Sequence, residues 1–337
     1  METTYAAIEL NSRPQGEPKP ENFRLVSRPM PTPGDRQVLV RNKFLSLDPY
    51  MRGRMNEAKS YAPPVELGGT MVGGTVGRVV ISNHPALTEG DIVLGALGWQ
   101  EYGLANADGL VKIDESAGVP AQAYLGAAGM PGITAWFGMK HICLPNKGDT
   151  VVVSSAAGAV GGAAGQIARL LGASRVIGIA GGPEKCSYAR DELGFDACID
   201  YKAVEGELAE VLAAEAPQGV DAYFDNVGGN VLSQVLTHMN QQGRIALCGM
   251  IAGYNGEPIP IINPWPMLAN RLTVRGFIIT DQVALWPEAR RELIHWIQQG
   301  NLRYRETIAH GLDQAPDTFI GLLKGQQLGK SLIQLHD

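Results

Sequence analysis

The sequence predicts an α/β chain in which a doubly wound parallel sheet is joined to a compact β barrel or sandwich. Three observations predict it. Residues 1 to about 125 carry many short β-like runs split by glycine and proline turns. From Thr150 onward, apolar strands alternate with helices, the pattern of a parallel sheet covered on both faces. Where the two patterns meet stands TVVVSSAAGAVGGAAG (150–165), a strand, a tight glycine turn and a helix start in that order.

The elements follow in order. VLVRNKFLSL (38–47) alternates as a strand, GGTMVGGTVGRVVIS (68–82) reads as strands with glycine interruptions, and DIVLGALGWQEYGLAN (91–106) as another pair. Prolines at 29–33 and 63–64 mark loops. GAAGMPGITAWFGMKHI (126–142) has helical character with small residues. Beyond the glycine turn come a strand at 175–180 and a helix at 183–194, with proline near its start and glycine at its end. The alternation continues with a strand at 197–201, a helix at 205–217, a strand into a glycine turn at 219–229, a helix at 231–240 and strands at 243–249 and 272–279. A helix at 286–300, a strand near 303–308, a helix at 315–324 and a strand at 331–335 complete the chain. The last strand lies beyond the repeating unit. The expected domains are therefore 1–125, completed by 301–337, and 126–300.

Composition narrows the function. Hydrophobic residues make up 45% and charged residues 18%, the profile of a soluble globular protein. A net charge of −6 leaves no basic footprint for nucleic acid. No apolar run is long enough for a membrane span, and the first residues have neither secretory nor transit character, so the expected location is the cytoplasm. The four cysteines (Cys143, Cys186, Cys198, Cys248) are dispersed with no CxxC, which argues against a disulfide framework. The six histidines form no ligand pair, so no metal site is expected.

The glycine turn is the first candidate site. Its spacing, Ser155-x-x-Gly158-x-x-Gly161, is a variant of the dinucleotide fingerprint. Gly158, Ala159, Val160 and Gly161 would let the backbone and the helix N-terminus meet a pyrophosphate. The same residues also fit a small-residue turn between buried elements, but the strand and helix context favours phosphate. NAD-selective sites place an acid at the end of the second strand, where it bonds the ribose 2′-hydroxyl. Here that strand ends Ala180-Gly181-Gly182-Pro183-Glu184-Lys185, without the strand-end acid. Small residues leave room for a 2′-phosphate, Lys185 supplies charge, and Tyr201 closes the same pocket, so the expected cofactor is NADP(H). A solvated helix-start lysine and a packing tyrosine are the plain alternatives, although a cation is mildly unfavourable at a helix N-terminus.

The ordered segments SLDPYMRGRM (46–55), GMPGITAWFG (129–138), SSAAGAVGGAAGQIARLLG (154–172), AGGPEK (180–185), GFDACIDY (194–201), DNVGGNV (225–231), GRIALCGMIAGYN (243–255) and LLKGQQLGK (322–330) resemble the zinc-independent medium-chain dehydrogenase/reductases. More narrowly they are similar to the NADPH-dependent alkenal/one and prostaglandin reductase group, nearest the bacterial curcumin reductase type. The resemblance spans nearly the whole chain. It implies a GroES-like barrel and a Rossmann domain, a homodimer, and reduction of the C=C bond of an α,β-unsaturated ketone or aldehyde. It also implies that Asn226 meets the cofactor and that Cys248, Gly249 and Tyr254 lie along it. Phe277, Ile278 and Ile279 would reach the nicotinamide end by their backbone, their side chains being core. Gln327 stands where the family usually has asparagine. Cys248 itself reads as a small buried hydrophobe that offers the cofactor only its backbone.

In that chemistry, hydride goes to the β carbon and an enolate develops on the carbonyl oxygen. A neutral hydroxyl can stabilise it without a metal. Tyr254, in a turn just after the fifth strand, is the catalytic candidate. Tyr50, Met130 and Trp99 are the expected substrate-pocket residues, with Trp136 and Trp265 as further aromatics and Arg52 directed at the cofactor or an interdomain acid. A homodimer would form by edge pairing of the 272–279 strand. The alternatives are an NADPH quinone oxidoreductase of the same superfamily and a non-catalytic NADPH-binding protein.

Overall fold

A computed structural model describes residues 3–205 and 207–336. Strands β1 (Thr4–Leu10) and β2 (Phe23–Pro29) form an antiparallel pair. Strand β3 (Gln37–Ser46) leads into the single turn α1 (Met51–Arg54), then β4 (Thr75–Ser82), β5 (Ile92–Gly95), β6 (Tyr102–Asn106) and β7 (Val111–Lys112). The alternating section runs α2 (Met130–Gly138), β8 (Thr150–Ser154), α3 (Ala159–Leu170), β9 (Arg175–Ala180), α4 (Pro183–Ser187) and β10 (Ala197–Asp200). It continues with α5 (Leu208–Glu215), β11 (Val220–Asp225), α6 (Gly229–Leu236), β12 (Met239–Leu247), α7 (Trp265–Ala269), β13 (Thr273–Gly276) and α8 (Trp286–Gln298). The chain closes with β14 (Glu306–His310), α9 (Ala315–Leu323) and β15 (Lys330–Gln334).

Contacts divide the chain into two units, Met1–Gly126 with Glu306–Asp337, and Ala127–Arg305. In the first, the sheet order is β14-β15-β3-β4-β5-β7, with β6 also paired to β3. The C-terminal strand belongs here because β15 runs antiparallel to β3, with Leu332 opposite Ser46. A buried ion pair holds it: Lys330 Nζ lies 3.1 Å from Asp48 and donates to the Leu47 carbonyl at 2.6 Å. The core of this unit is built on Trp99, which stacks on Phe23 at 5.5 Å and meets Phe319 edge-on at 5.6 Å.

In the second unit six parallel strands run β10-β9-β8-β11-β12-β13. In chain order within this unit that is 3-2-1-4-5-6, the doubly wound arrangement, with its switch point between β8 and β11. The strand β8 sits there because Val151, Val152 and Val153 are all fully buried, each contributing about 1.5–3 kcal/mol by leaving water. The strand end therefore opens onto the crevice where such sheets take ligands.

Several boundaries moved. Helix α6 stops at Leu236, and β12 starts at Met239 rather than 243, because Met239 pairs in parallel with Val220. The 272–279 strand ends at Gly276, where its pairing to Leu247 stops. The helices expected at 126–142 and 183–194 each end in a wider π-type turn, at 139–143 and 188–192. Of the helix expected at 205–217, Gly206 lies outside the described residues.

Candidate functional site

The carboxyl ends of β8 to β12 share one edge of the parallel sheet, and most of the predicted residues of the second unit meet there. At the end of β8 the chain turns through Ser155, whose φ of +55° is unusual for a non-glycine residue. Gly158 caps α3 in an extended conformation, with no side-chain acceptor bonded to the helix start. The first N–H groups of Ala159, Val160 and Gly161 have no partner within the helix and carry its positive dipole end. Gly161 is required by space. A Cβ there would overlap the carbonyl oxygen of Ser155, so the helix can pass this close to the turn only with glycine. The cradle fits an anion that approaches backbone.

At the end of β9, Gly181 lies against the neighbouring turn. A Cβ on it would be 2.9 Å from Tyr201 Cε1 and 2.9 Å from Lys202 Cε. Tyr201 follows β10, its N–H bonded to the Ala180 carbonyl at 3.1 Å. Lys185 stands in the first turn of α4, half-buried. Burial and the neighbouring positive charge of Lys202 hold its pKa below the ordinary lysine value. The arrangement suits a dianion. Lys202 was not singled out in the sequence; the signal was the Tyr-Lys pair directly after the third strand.

At the end of β11, the fully buried Asp225 ties three strands together. Its Oδ1 accepts from Tyr223 Oη at 2.7 Å, Ser154 Oγ at 3.0 Å, Val227 N at 2.9 Å and Gly228 N at 3.1 Å. Its main-chain carbonyl accepts from Cys248 N at 2.8 Å and Gly249 N at 3.1 Å. Burial first, then the Asp225 charge, pushes the Tyr223 hydroxyl well above its ordinary pKa, so it stays a neutral donor. Sequence reading missed Asp225, because one acid before Asn-Val-Gly-Gly reads as turn chemistry. The network sets Asn226, whose N–H donates to Ser154 Oγ at 2.8 Å and whose Nδ2 donates to the Ser154 carbonyl at 2.7 Å.

Tyr254 closes this edge. After β12 the chain makes a single turn at Ile251–Gly253, and the side chain folds back over the strand end. A Cβ on Gly249 would lie 3.4 Å from Tyr254 Oη and 3.3 Å from the Asn226 carbonyl oxygen. The hydroxyl thus lies over Gly249, and Tyr254 is half-exposed. Cys248 is a poor nucleophile: burial, with Asp225 next, pushes its thiol to about 12. Phe277 packs on Phe137 at 5.3 Å and Phe224 at 6.3 Å, and Ile279 is buried, with its carbonyl accepting from Trp286 Nε1 at 3.1 Å. Ile278 is half-buried between them, and Met130 is half-exposed at the start of α2.

Three expectations are corrected. Trp99 is fully buried against Phe23 and Phe319, so its indole is core and lines no substrate pocket. Trp136 is also core, with Nε1 donating to Glu292. Arg52 is turned inward: its guanidinium donates to the Gly16 carbonyl at 2.8 Å and to Asn56 at 2.6 Å. In the same unit Tyr50 is half-buried, beneath the Arg54 guanidinium at 5.8 Å. Gln327 is half-buried, its Nε2 near the last turn of α9 at Gly321. Among the described residues no group of three or more His, Cys, Asp or Glu side chains is placed to hold a metal ion. No helix among them is long and apolar enough to cross a membrane.

Known proteins match this chain throughout. Residues 6–113 match the family described as N-terminal domain of oxidoreductase, and residues 159–299 the zinc-binding dehydrogenase family. The chain is 48% identical over 336 residues to the NADPH-dependent curcumin reductase of Escherichia coli strain K12, covering 97% of this chain and 95% of that protein. It is 40% identical to prostaglandin reductase 1 of Rattus norvegicus, over 95% of this chain and 96% of that protein. The crystal structure of CurA from Vibrio vulnificus in complex with NADPH superimposes with a TM-score of 0.93 at 44% identity, covering 98% of this chain and 99% of that one.

Proposed function

The chain belongs to the medium-chain dehydrogenase/reductases, in their NADPH-dependent alkenal/one reductase group, and from that premise we propose that it reduces the C=C bond of α,β-unsaturated ketones and aldehydes with Tyr254 as the oxyanion donor. The protein is an NADP-dependent oxidoreductase, and NADPH, when bound, supplies the hydride that ends on the β carbon of the enone. The single observation that carries the mechanism is the Tyr254 hydroxyl lying over Gly249, just beyond the end of β12.

The chain's own residues do the rest. Gly158 to Gly161 hold the pyrophosphate by backbone, Lys185 and Tyr201 hold the 2′-phosphate, and Asn226 orients the adjoining end of the cofactor. As hydride arrives, charge builds on the substrate carbonyl oxygen, and the Tyr254 hydroxyl donates to it. A donor fixed in place before charge develops needs no reorganisation during the step. Met130, at the start of α2 in the same unit, is the proposed contact to the planar enone. Residues 1–126 with 306–337 serve as the substrate unit, and 127–305 as the cofactor unit.

The proposed homodimer forms at the edge of the sheet. Strand β13 is an outer strand, and Ile262 (71% exposed), Trp265 (65%) and Leu268 (69%) lie just before it in sequence as exposed apolar surface. Pairing two β13 strands joins two sheets into one. Light scattering at micromolar concentration is expected to give twice the chain mass; a monomer there would refute the pairing.

The deciding assay for the function is NADPH oxidation against a panel of medium-chain alkenals, aryl enones, a diarylheptanoid dienone and a simple quinone, with products identified. Saturated ketones or aldehydes are the expected products. Quinol formation with no enone turnover would assign a quinone reductase, and tight NADPH binding with no turnover would assign a binding protein.

A further inference from the structure

Two turns at the edge of the parallel sheet each present a lysine, and one carboxylate ties them together. Asp200, the last residue of β10, accepts with Oδ1 from Gly182 N at 2.7 Å and from Lys202 N at 3.1 Å. One oxygen thus fixes the backbone of the β9–α4 turn, which leads into α4 and Lys185, to the backbone of the turn after β10, which carries Lys202. The Lys202 stem then lies on Gly181, where a Cβ would come within 2.9 Å of Lys202 Cε. Burial first, then the Lys202 charge, holds the Lys185 ammonium below the ordinary lysine pKa. Among the described residues the Lys202 ammonium has no carboxylate partner within ion-pairing distance. Two cationic side chains brought to one edge suit a phosphomonoester, which carries close to two negative charges.

We propose that Lys202 is a second cationic ligand of the cofactor's 2′-phosphate, and that Asp200 is the positioning residue that holds Lys202 and Lys185 at the spacing one phosphate spans. This rests on the reading that places the 2′-phosphate at the end of β9. Three parts recognise the group: Lys185 from the helix side, Lys202 from the β10 side, and the Tyr201 hydroxyl between them. Preference for NADPH over NADH therefore comes from two charges rather than one. The acid that would select NAD is absent from the second strand. The acid on the third strand spends an oxygen on backbone N–H groups.

The test uses the full-length protein with Lys185→Met, Lys202→Met and the double variant. KM and kcat are measured with NADPH and with NADH at several salt concentrations. Lys202 is exposed, so its truncation leaves the core intact. Expected for Lys202→Met is a rise of about ten- to a hundredfold in the NADPH KM, with kcat and the NADH KM unmoved and a shallower salt dependence. Lys202→Arg restores most of the loss. The double variant loses less than the product of the singles, because both cations act on one dianion. For Asp200, alanine raises the NADPH KM, and asparagine, whose carbonyl accepts the same two N–H bonds, restores it with kcat unchanged. Binding of adenosine 2′,5′-bisphosphate against AMP, by calorimetry, reads the same difference without turnover.

An NADPH KM unchanged in Lys202→Met but raised in Lys185→Met overturns the role of Lys202 and leaves the phosphate site standing. No change in either variant overturns the site itself. Equal losses with NADH and NADPH assign Lys202 a purely structural role and overturn its contact with the phosphate.

Discussion

Asp225 is the residue whose removal most sharply tests how the edge of the sheet is held. It is fully buried, and its Oδ1 accepts from four donors, two of them the hydroxyls of Tyr223 and Ser154 and two the N–H groups of Val227 and Gly228. Among the described residues Oδ2 accepts only from Gly228 N, at 3.2 Å. The asymmetry separates two variants. In Asp225→Ala four donors lose their acceptor; each unsatisfied buried group costs about 1–3 kcal/mol, and the loss of the buried charge offsets part of the sum. A net destabilisation of about 3–5 kcal/mol is expected. In Asp225→Asn the amide oxygen can take the place of Oδ1 and keep all four donors, while the amide nitrogen faces one N–H. That variant loses about 1.5–3 kcal/mol. For a protein of this size each kcal/mol moves the melting midpoint by roughly 2–4 °C, so alanine lowers it by on the order of 10 °C and asparagine by about half as much. Differential scanning calorimetry reads this directly. Equal midpoints for wild type and Asp225→Ala would refute the reasoning, and so would an alanine variant no less stable than the asparagine one.

Other outcomes follow from the same geometry. Gly161→Ala drives a methyl into the Ser155 carbonyl; the strain costs about 1–3 kcal/mol and NADPH affinity falls at least tenfold by fluorescence titration, whereas unchanged affinity would show that the turn does not touch the pyrophosphate. Trp99→Ala, which empties a fully buried site, is expected to cost about 3–5 kcal/mol in urea unfolding while the ratio of kcat/KM values among enones stays fixed; a changed ratio would return Trp99 to the substrate pocket. Glu9 bonds Arg28 and Arg24, and those bonds hold its carboxyl below the ordinary value. Its contribution to stability is present above the ordinary carboxylate pKa and lost as pH falls through the lower, folded-state value. Wild type therefore loses more stability than Glu9→Gln between about pH 5 and pH 3, and parallel acid-unfolding curves would contradict this.

The parallel sheet was legible because it is written in local signals. Arg175–Ala180 is a continuous apolar run bounded by turn residues, and the strand occupies those residues. The terminal strand at 331–335 was legible as an element for the same reason. What failed was what depends on partners distant in sequence. The β1–β2 pair was missed because its polar, proline-bearing connection of residues 11–22 gives no hairpin signal, and the pair is held by tertiary contacts. Met239 looked like the last turn of a helix until Val220 drew it into a strand. Trp99 shows the same limit from the other side. An aromatic residue suits a pocket or a core equally well, and only the positions of Phe23 and Phe319 decide. The residues proposed for the site, Gly161, Lys185, Asn226 and Tyr254, stand in recognisable segments of the sequence. Asp225 and Asp200, which bond the backbone of the neighbouring turns, were not legible. A carboxylate bonded to backbone N–H groups has no sequence signature of its own.

Turnover of Tyr254→Phe under saturating NADPH, with NADPH binding measured on the same sample, tests the proposed mechanism most directly. With an α,β-unsaturated ketone as substrate, kcat is expected to fall by as much as ~10²–10³-fold, less if a cofactor hydroxyl shares the oxyanion. The dissociation constant for NADPH is expected to stay within about twofold, a few tenths of a kcal/mol. Wild-type turnover in Tyr254→Phe would contradict the assignment of the enolate to this hydroxyl.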